Sequence, residues 1–156
     1  MGSGIAEISA KAGFDVLVLE IEEAAAERGR ARIEKSMNRA VEKEKLTAED
    51  RDAALARIRF TTTVEDLADR DFVIEAIVEN LDAKNELFGR LDELCGDHAI
   101  FASNTRSLTI TDKAAATNRP DRVVGLHFFN PVPVMKLVEV VRTIATSDET
   151  FGAVFE

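Results

Sequence analysis

The chain has 156 residues, 46% of them hydrophobic, and a formal net charge of −9, which is enough apolar content to bury a core and too much for a disordered segment. The negative balance argues against nucleic acid or an anionic membrane as partner of the whole chain. Cys95 is the single cysteine, so an internal disulfide is excluded and a reducing, cytoplasmic setting is expected; no apolar run approaches the roughly 18–20 residues of a membrane span, and the first residues do not read as a signal peptide.

In chain order, "MGSGIAEISAKAGFDVLVLE" reads as a helix leading into a short apolar strand, 15–20, tipped by an acid, Glu20. A long polar helix is predicted over about 22–45, with no proline inside it. "LTAEDRDAALARI" starts the next helix, where Thr47 and Asp50 suit a capping box. Strand-like apolar runs follow in "IRFTT", "DFVIEAIVE", "AIFASN" and "RVVGLHFF", with helical stretches predicted over 80–95 and 109–117. Strands alternating with helices predict one α/β domain, a doubly wound parallel sheet with helices on both faces. In a dinucleotide-binding unit, a glycine-rich turn precedes a helix, and an acid at the end of the next strand binds the ribose hydroxyls. Glu20 lies eighteen residues after Gly2, close to the usual spacing of about 20. Gly2 and Gly4 fit a flexible terminus as well, so both readings stay open on this stretch.

One stretch is unusual for either a core strand or a loop. "HFFNPVPVMKLVEVV", residues 127–141, sets one of only two histidines before Phe128 and Phe129, then Asn130, two prolines and an apolar run holding a single acid, Glu139. His127 ends a strand whose carboxyl edge, in an open parallel sheet, faces the ligand crevice. Pro131 and Pro133 interrupt pairing there and stiffen the turn. A carboxylate at Glu139 is placed to accept the second ring N–H of the imidazole, fixing its tautomer. The alternative is a buried histidine satisfied by a backbone carbonyl, with Glu139 exposed at a strand edge. His98 sits in a turn-like "GDHA" with no Cys/His partner at metal-ligand spacing, so no metal site is expected.

Taken together, "MGSGIAE", "EAIVENLDAKNELF", "FASNTRSL" and "GLHFFNPVPVMKLVEVV" resemble the short-chain L-3-hydroxyacyl-CoA dehydrogenases, which include the 3-hydroxybutyryl-CoA dehydrogenases. The resemblance runs from residue 1 to about 150 and is most specific in its last motif. It implies a Rossmann-type NAD-binding domain over 1–156 that lacks the family's first strand and its helical C-terminal domain. In this chain by itself, it therefore implies poor NADH binding and no dehydrogenase activity. For the full-length protein it implies an oxidoreductase of fatty-acid or butyrate metabolism, a homodimer acting on acyl-CoA substrates. His127 and Glu139 match the family's catalytic dyad, while Gly2, Glu20, Glu79, Lys84 and Asn130 match cofactor-binding positions. Ser36 and Lys43 match positions that contact coenzyme A. They fall within "RGRARIEKSMNRAVEKEK", where seven Lys or Arg face three Glu, a basic island that is otherwise a solvated charged helix. Glu79 and Lys84 have their own alternative, an exposed charge couple at a helix start. One departure stands out: where the family has a substrate-contacting serine, this chain has Arg106. A guanidinium is bulky, charged and unable to accept a hydrogen bond, so that role is not carried over. A catalytically inactive nucleotide- or CoA-binding fragment is the alternative reading.

Overall fold

The computed structural model describes residues 1–105 and 110–155, and the chain divides into two compact units. The first comprises Met1–Asp66 with Asn130–Lys136, the second Leu67–Phe129 with Leu137–Glu156.

The first unit holds α1 (Gly2–Lys11), β1 (Val16–Leu19), α2 (Glu23–Glu42), α3 (Ala48–Ala56) and β2 (Ile58–Thr61). β1 and β2 pair in parallel, Val16 opposite Ile58 and Leu19 opposite Thr61. On α2, Ala26, Gly29, Ile33 and Met37 are buried; their spacing of three or four residues makes one apolar stripe. Ile33 and Met37 join Ala6, Ala10 and Ala54 in a core onto which Val16, Val18, Ile58 and Phe60 pack. Gly4 permits a close approach, since a Cβ there would lie 2.8 Å from Cβ of Val132.

Both long helices of this unit end in the same way. After α1, Gly13 takes φ 102°, its N–H donating to the Ala10 carbonyl and that of Phe14 to the Ser9 carbonyl. After α2, Glu44 takes φ 55°, with its N–H on Val41 O and that of Lys45 on Ala40 O. These paired bonds satisfy helix-end carbonyls and require a left-handed residue. They also stop α2 at Glu42, short of the expected 45. Thr47 caps α3 as its sequence predicts, its Oγ1 accepting the Asp50 N–H at 3.0 Å.

The second unit holds β3 (Phe72–Glu75), α4 (Leu81–Leu94), β4 (Ile100–Ser103), α5 (Ile110–Ala115), β5 (Val123–Phe128), β6 (Val138–Arg142) and α6 (Asp148–Phe155). Its sheet has the order β3-β4-β5-β6, parallel from β3 to β5, with β6 antiparallel to β5. β5, with partners on both sides, is the most buried strand. Below it, Phe88 of α4 meets Phe101 of β4 edge-to-face, with 5.9 Å between centroids. "DFVIEAIVE" is extended only as far as Glu75, because the Glu75 carboxylate accepts the Ile77 N–H at 2.8 Å and turns the chain away from the ladder. The C-terminal end of α4 is held by Arg119. Its guanidinium donates to Asp92 Oδ1 at 2.6 Å, to the Asp92 and Cys95 carbonyls at 2.8 and 3.2 Å, and to the Gly96 carbonyl. Cys95 is buried beside it, its thiol donating to the Leu67 carbonyl. No helix among the described residues is long and apolar enough to cross a membrane.

Candidate active site

At the carboxyl end of β5, strand register builds a histidine–carboxylate pair. His127 and Glu139 are direct partners in the β5–β6 ladder, so both side chains rise from the same face of the sheet. His127 Nδ1 lies 2.9 Å from Glu139 Oε2. A carboxylate only accepts, so in the neutral ring Nδ1 carries the hydrogen and Nε2 keeps its lone pair. The imidazole is largely enclosed, with 13% of its side chain exposed against 51% for Glu139. Phe129 packs edge-on against the ring at 4.6 Å between centroids. The alternative of a histidine satisfied by a backbone carbonyl does not hold.

The carboxyl ends of β3 and β4 carry a charged cluster. Lys84, from the first turn of α4, is 1% exposed, and its ammonium lies 3.3 Å from Glu75 Oε1 and 2.9 Å from Glu79 Oε2. Buried Glu75 also accepts the Ser103 hydroxyl at 2.6 Å. Glu79, two-thirds exposed, takes a bond from the Thr105 hydroxyl at 3.3 Å. The Lys84 hydrogen bond holds the Glu79 carboxyl below its usual range, outweighing the opposing effect of burial. Lys113 of α5 is fully buried, and burial, reinforced by the charge of Lys84, pushes its ammonium down. Glu79 and Lys84 are therefore not an exposed charge couple, since one partner is inside the protein.

The remaining sequence-predicted residues lie in the first unit. Glu20 follows β1, half-buried, its N–H donating to the Thr61 carbonyl at 3.0 Å. Gly2 opens α1, which has no side-chain cap, and the N–H groups of Gly2 and Ser3 find no partner among the described residues. A helix start of this kind is a ready acceptor of a phosphate. Glu20, in the same unit, adds a carboxylate of the kind that can accept ribose hydroxyls, so this unit carries donors and an acceptor that suit a dinucleotide. Ser36 flanks the buried stripe of α2, Lys43 is exposed just past its end, and no hydrogen bond or ion pair joins them. Asn130 is exposed, before a cis bond to Pro131. Arg106 and Ser107 lie outside the described residues.

Sequence reasoning misses Glu75, Ser103 and Lys113. The signal for Glu75 is the one that singles out Glu20, an acid closing a short apolar strand. Lys113 carries no such signal, because a lysine in a short helix reads as solvated.

Comparison with known proteins supplies the context of this geometry. A family profile described as "3-hydroxyacyl-CoA dehydrogenase, NAD binding domain" matches residues 1–156. A probable 3-hydroxybutyryl-CoA dehydrogenase of Bacillus subtilis is 53% identical over 150 residues, covering 96% of this chain and 52% of the relative. A 3-hydroxybutyryl-CoA dehydrogenase of Mycobacterium tuberculosis is 54% identical over 149 residues, covering 95% and 52%. The crystal structure of (S)-3-hydroxybutyryl-CoA dehydrogenase PaaH1 from Ralstonia eutropha aligns with a TM-score of 0.95 at 48% identity, covering 99% of this chain and 54% of that one. The chain thus spans about half the length of the relatives it matches, and by profile, sequence and structure it belongs to the 3-hydroxyacyl-CoA dehydrogenase family, matching its NAD-binding domain.

Proposed function

We propose that residues 1–156 form the NAD-binding domain, with its proton-transfer dyad, of an enzyme that oxidises L-3-hydroxyacyl-CoA, such as 3-hydroxybutyryl-CoA, to the 3-ketoacyl-CoA. The observation that carries this reading is the cross-strand bond between His127 Nδ1 and Glu139 Oε2. It leaves Nε2 as a base at the carboxyl edge of the sheet, where parallel α/β sheets bind their ligands.

In the forward direction, His127 Nε2 takes the proton of the substrate's 3-hydroxyl. Glu139 keeps the ring in the tautomer that can do so and balances the imidazolium that forms. Enclosure of the ring by Phe129 keeps bulk water from competing for Nε2. NAD, when bound, supplies the acceptor for the hydride that leaves C3. Gly2 at the start of α1 would hold its pyrophosphate and Glu20 its adenine-side ribose. Glu79, fixed by Lys84, would meet the nicotinamide-side ribose, and Asn130 would serve the nicotinamide. Ser36 on α2 and Lys43 just past its end, both within the basic island, would meet the coenzyme A portion of the substrate. A cytoplasmic homodimer of the full-length protein belongs to the same proposal.

The test is acetoacetyl-CoA reduction, followed by the loss of NADH absorbance, in a full-length dehydrogenase carrying these residues. Turnover with NADH is expected. Tight binding of NADH and acetoacetyl-CoA without turnover would replace the enzyme with a binding module.

A further inference from the structure

An asparagine at the end of β4 makes a contact that the chemistry above leaves unused. Asn104 follows Ser103, and its backbone N–H prolongs the β3 ladder by donating to the Glu75 carbonyl at 2.8 Å. Its side chain serves the other neighbouring strand, for the Phe128 N–H donates to Asn104 Oδ1 at 3.0 Å. A backbone N–H can only donate, so the orientation of the amide is settled by its partner: Oδ1 faces β5 and Nδ2 is left over. Nδ2 makes no hydrogen bond to the described residues. Nor is it sealed in, because the one buried side-chain polar atom without a partner among them is Asn85 Oδ1. Asn104, half-buried, therefore offers two unused N–H donors while its oxygen holds the peptide that joins His127 to Phe128.

We propose that Asn104 is a further residue of the reaction site, resting on the dehydrogenase reading given above. Oδ1 clamps the peptide carrying His127, and Nδ2 donates to the oxygen on C3 of the acyl-CoA substrate. As Nε2 of His127 takes the hydroxyl proton, that oxygen gains negative charge, and a fixed donor stabilises the change more than the starting alcohol. In the reverse direction the same donor polarises the ketone. The step moves no atoms beyond those of the dyad. The chain already has one half of the arrangement in its fold, since a residue bonded to the peptide next to the base moves with the base.

Two substitutions separate the clamp from the donor. Asn104→Asp keeps an acceptor for the Phe128 N–H and removes the donor; Asn104→Ala removes both. They are compared with the parent and with His127→Ala in the full-length dehydrogenase, using kcat for acetoacetyl-CoA on the plateau of each pH profile, KM for NADH, and hydrogen exchange of the Phe128 amide. The proposal expects both variants to lose about 100-fold in plateau kcat, the scale of one lost oxyanion donor, with KM for NADH within about threefold of the parent. It also expects the Phe128 amide to stay protected in Asn104→Asp and to exchange freely in Asn104→Ala. Plateau kcat near the parent's in Asn104→Asp overturns the donor, and an Asn104→Ala protein that keeps the Phe128 amide protected overturns the clamp. A loss confined to KM for NADH also overturns the proposal. If His127→Ala matches the parent, it is the dehydrogenase reading that fails, and the Phe128 amide still judges the clamp.

Discussion

His127 and Glu139 stand twelve residues apart, and only pairing of their strands makes them neighbours. His127→Ala in the full-length dehydrogenase is expected to abolish turnover. Glu139→Gln should lower kcat by about 10²-fold or more with little change in KM for NADH, because an amide still bonds the ring but no longer balances its charge. A parent-like kcat in either variant contradicts the role. Glu20 sets a second expectation. A carboxylate accepts both hydroxyls of a ribose and repels a 2′-phosphate, so NADH should be preferred to NADPH by kcat/KM, and Glu20→Gln should narrow the preference. His127 and Glu139 were singled out by a histidine before two phenylalanines and a lone acid in an apolar run. That pattern left a buried histidine equally open, and only the resemblance to the family selected their pairing. Glu75, Lys84 and Lys113 were not legible as a cluster. Their proximity is made by parallel pairing of β3 with β4 and by helix packing, which no local pattern encodes.

At the scale of elements, α1 and α2 end in one backbone motif with different residues at its left-handed position. Gly13 adopts that conformation without a steric penalty, whereas Glu44 must set its Cβ against the following carbonyl. Glu44→Gly is expected to raise stability by about 0.5–1 kcal/mol, net of the greater freedom of glycine in the unfolded chain. Gly13→Ala should cost about 1 kcal/mol. Urea midpoints of the two variants check both signs. The α4 terminus makes a pH-dependent contribution. Burial pushes the Asp92 carboxyl up, but bonds from Asn118 and Arg119 outweigh it and hold the group below its usual value. A lowered folded-state pKa contributes stability above the unfolded value, near pH 4, that is lost as pH falls through the folded one. Arg119→Ala should therefore cost about 3 kcal/mol at pH 7, and the cost should shrink as pH falls through the folded-state value of Asp92, as measured by urea unfolding over a series of acid pH values. The apolar runs of β1 to β5, and the capped start of α3, were readable in advance. The early end of β3 was not, since it depends on a side chain capturing a backbone donor. The antiparallel direction of β6 was equally hidden, because alternation of apolar residues does not encode strand polarity.

For the whole molecule, the α/β class was legible from alternation alone, and likeness to solved dehydrogenases over 99% of the chain agrees with it. The division into two compact units was not legible, because Asn130–Lys136 belongs with the first sixty-six residues while the strands on either side belong to the second unit. Opening of the second unit can be followed at one atom. Burial pushes the Cys95 thiol up, with Arg119 opposing, and its Sγ is bonded to the Leu67 carbonyl. A buried, protonated thiol is a poor nucleophile. Under native conditions, Cys95 should label with a thiol reagent at least about a hundredfold more slowly than in urea. Labelling at the unfolded rate without denaturant would show that this unit does not close around α4.

The facing positions of His127 and Glu139 also make the dyad a proofreader of strand alignment. Side chains alternate along β6, so a slip of one residue sends the carboxylate to the opposite face and brings Val138 or Val140 opposite the imidazole. Such a slipped chain would keep its helices and most of its sheet, and its circular dichroism would look native. It would have no partner for Nδ1 and no assigned tautomer. On the proposed reading, turnover per folded molecule of the full-length dehydrogenase therefore counts chains whose last two strands are in register, which a spectroscopic measure of secondary structure does not.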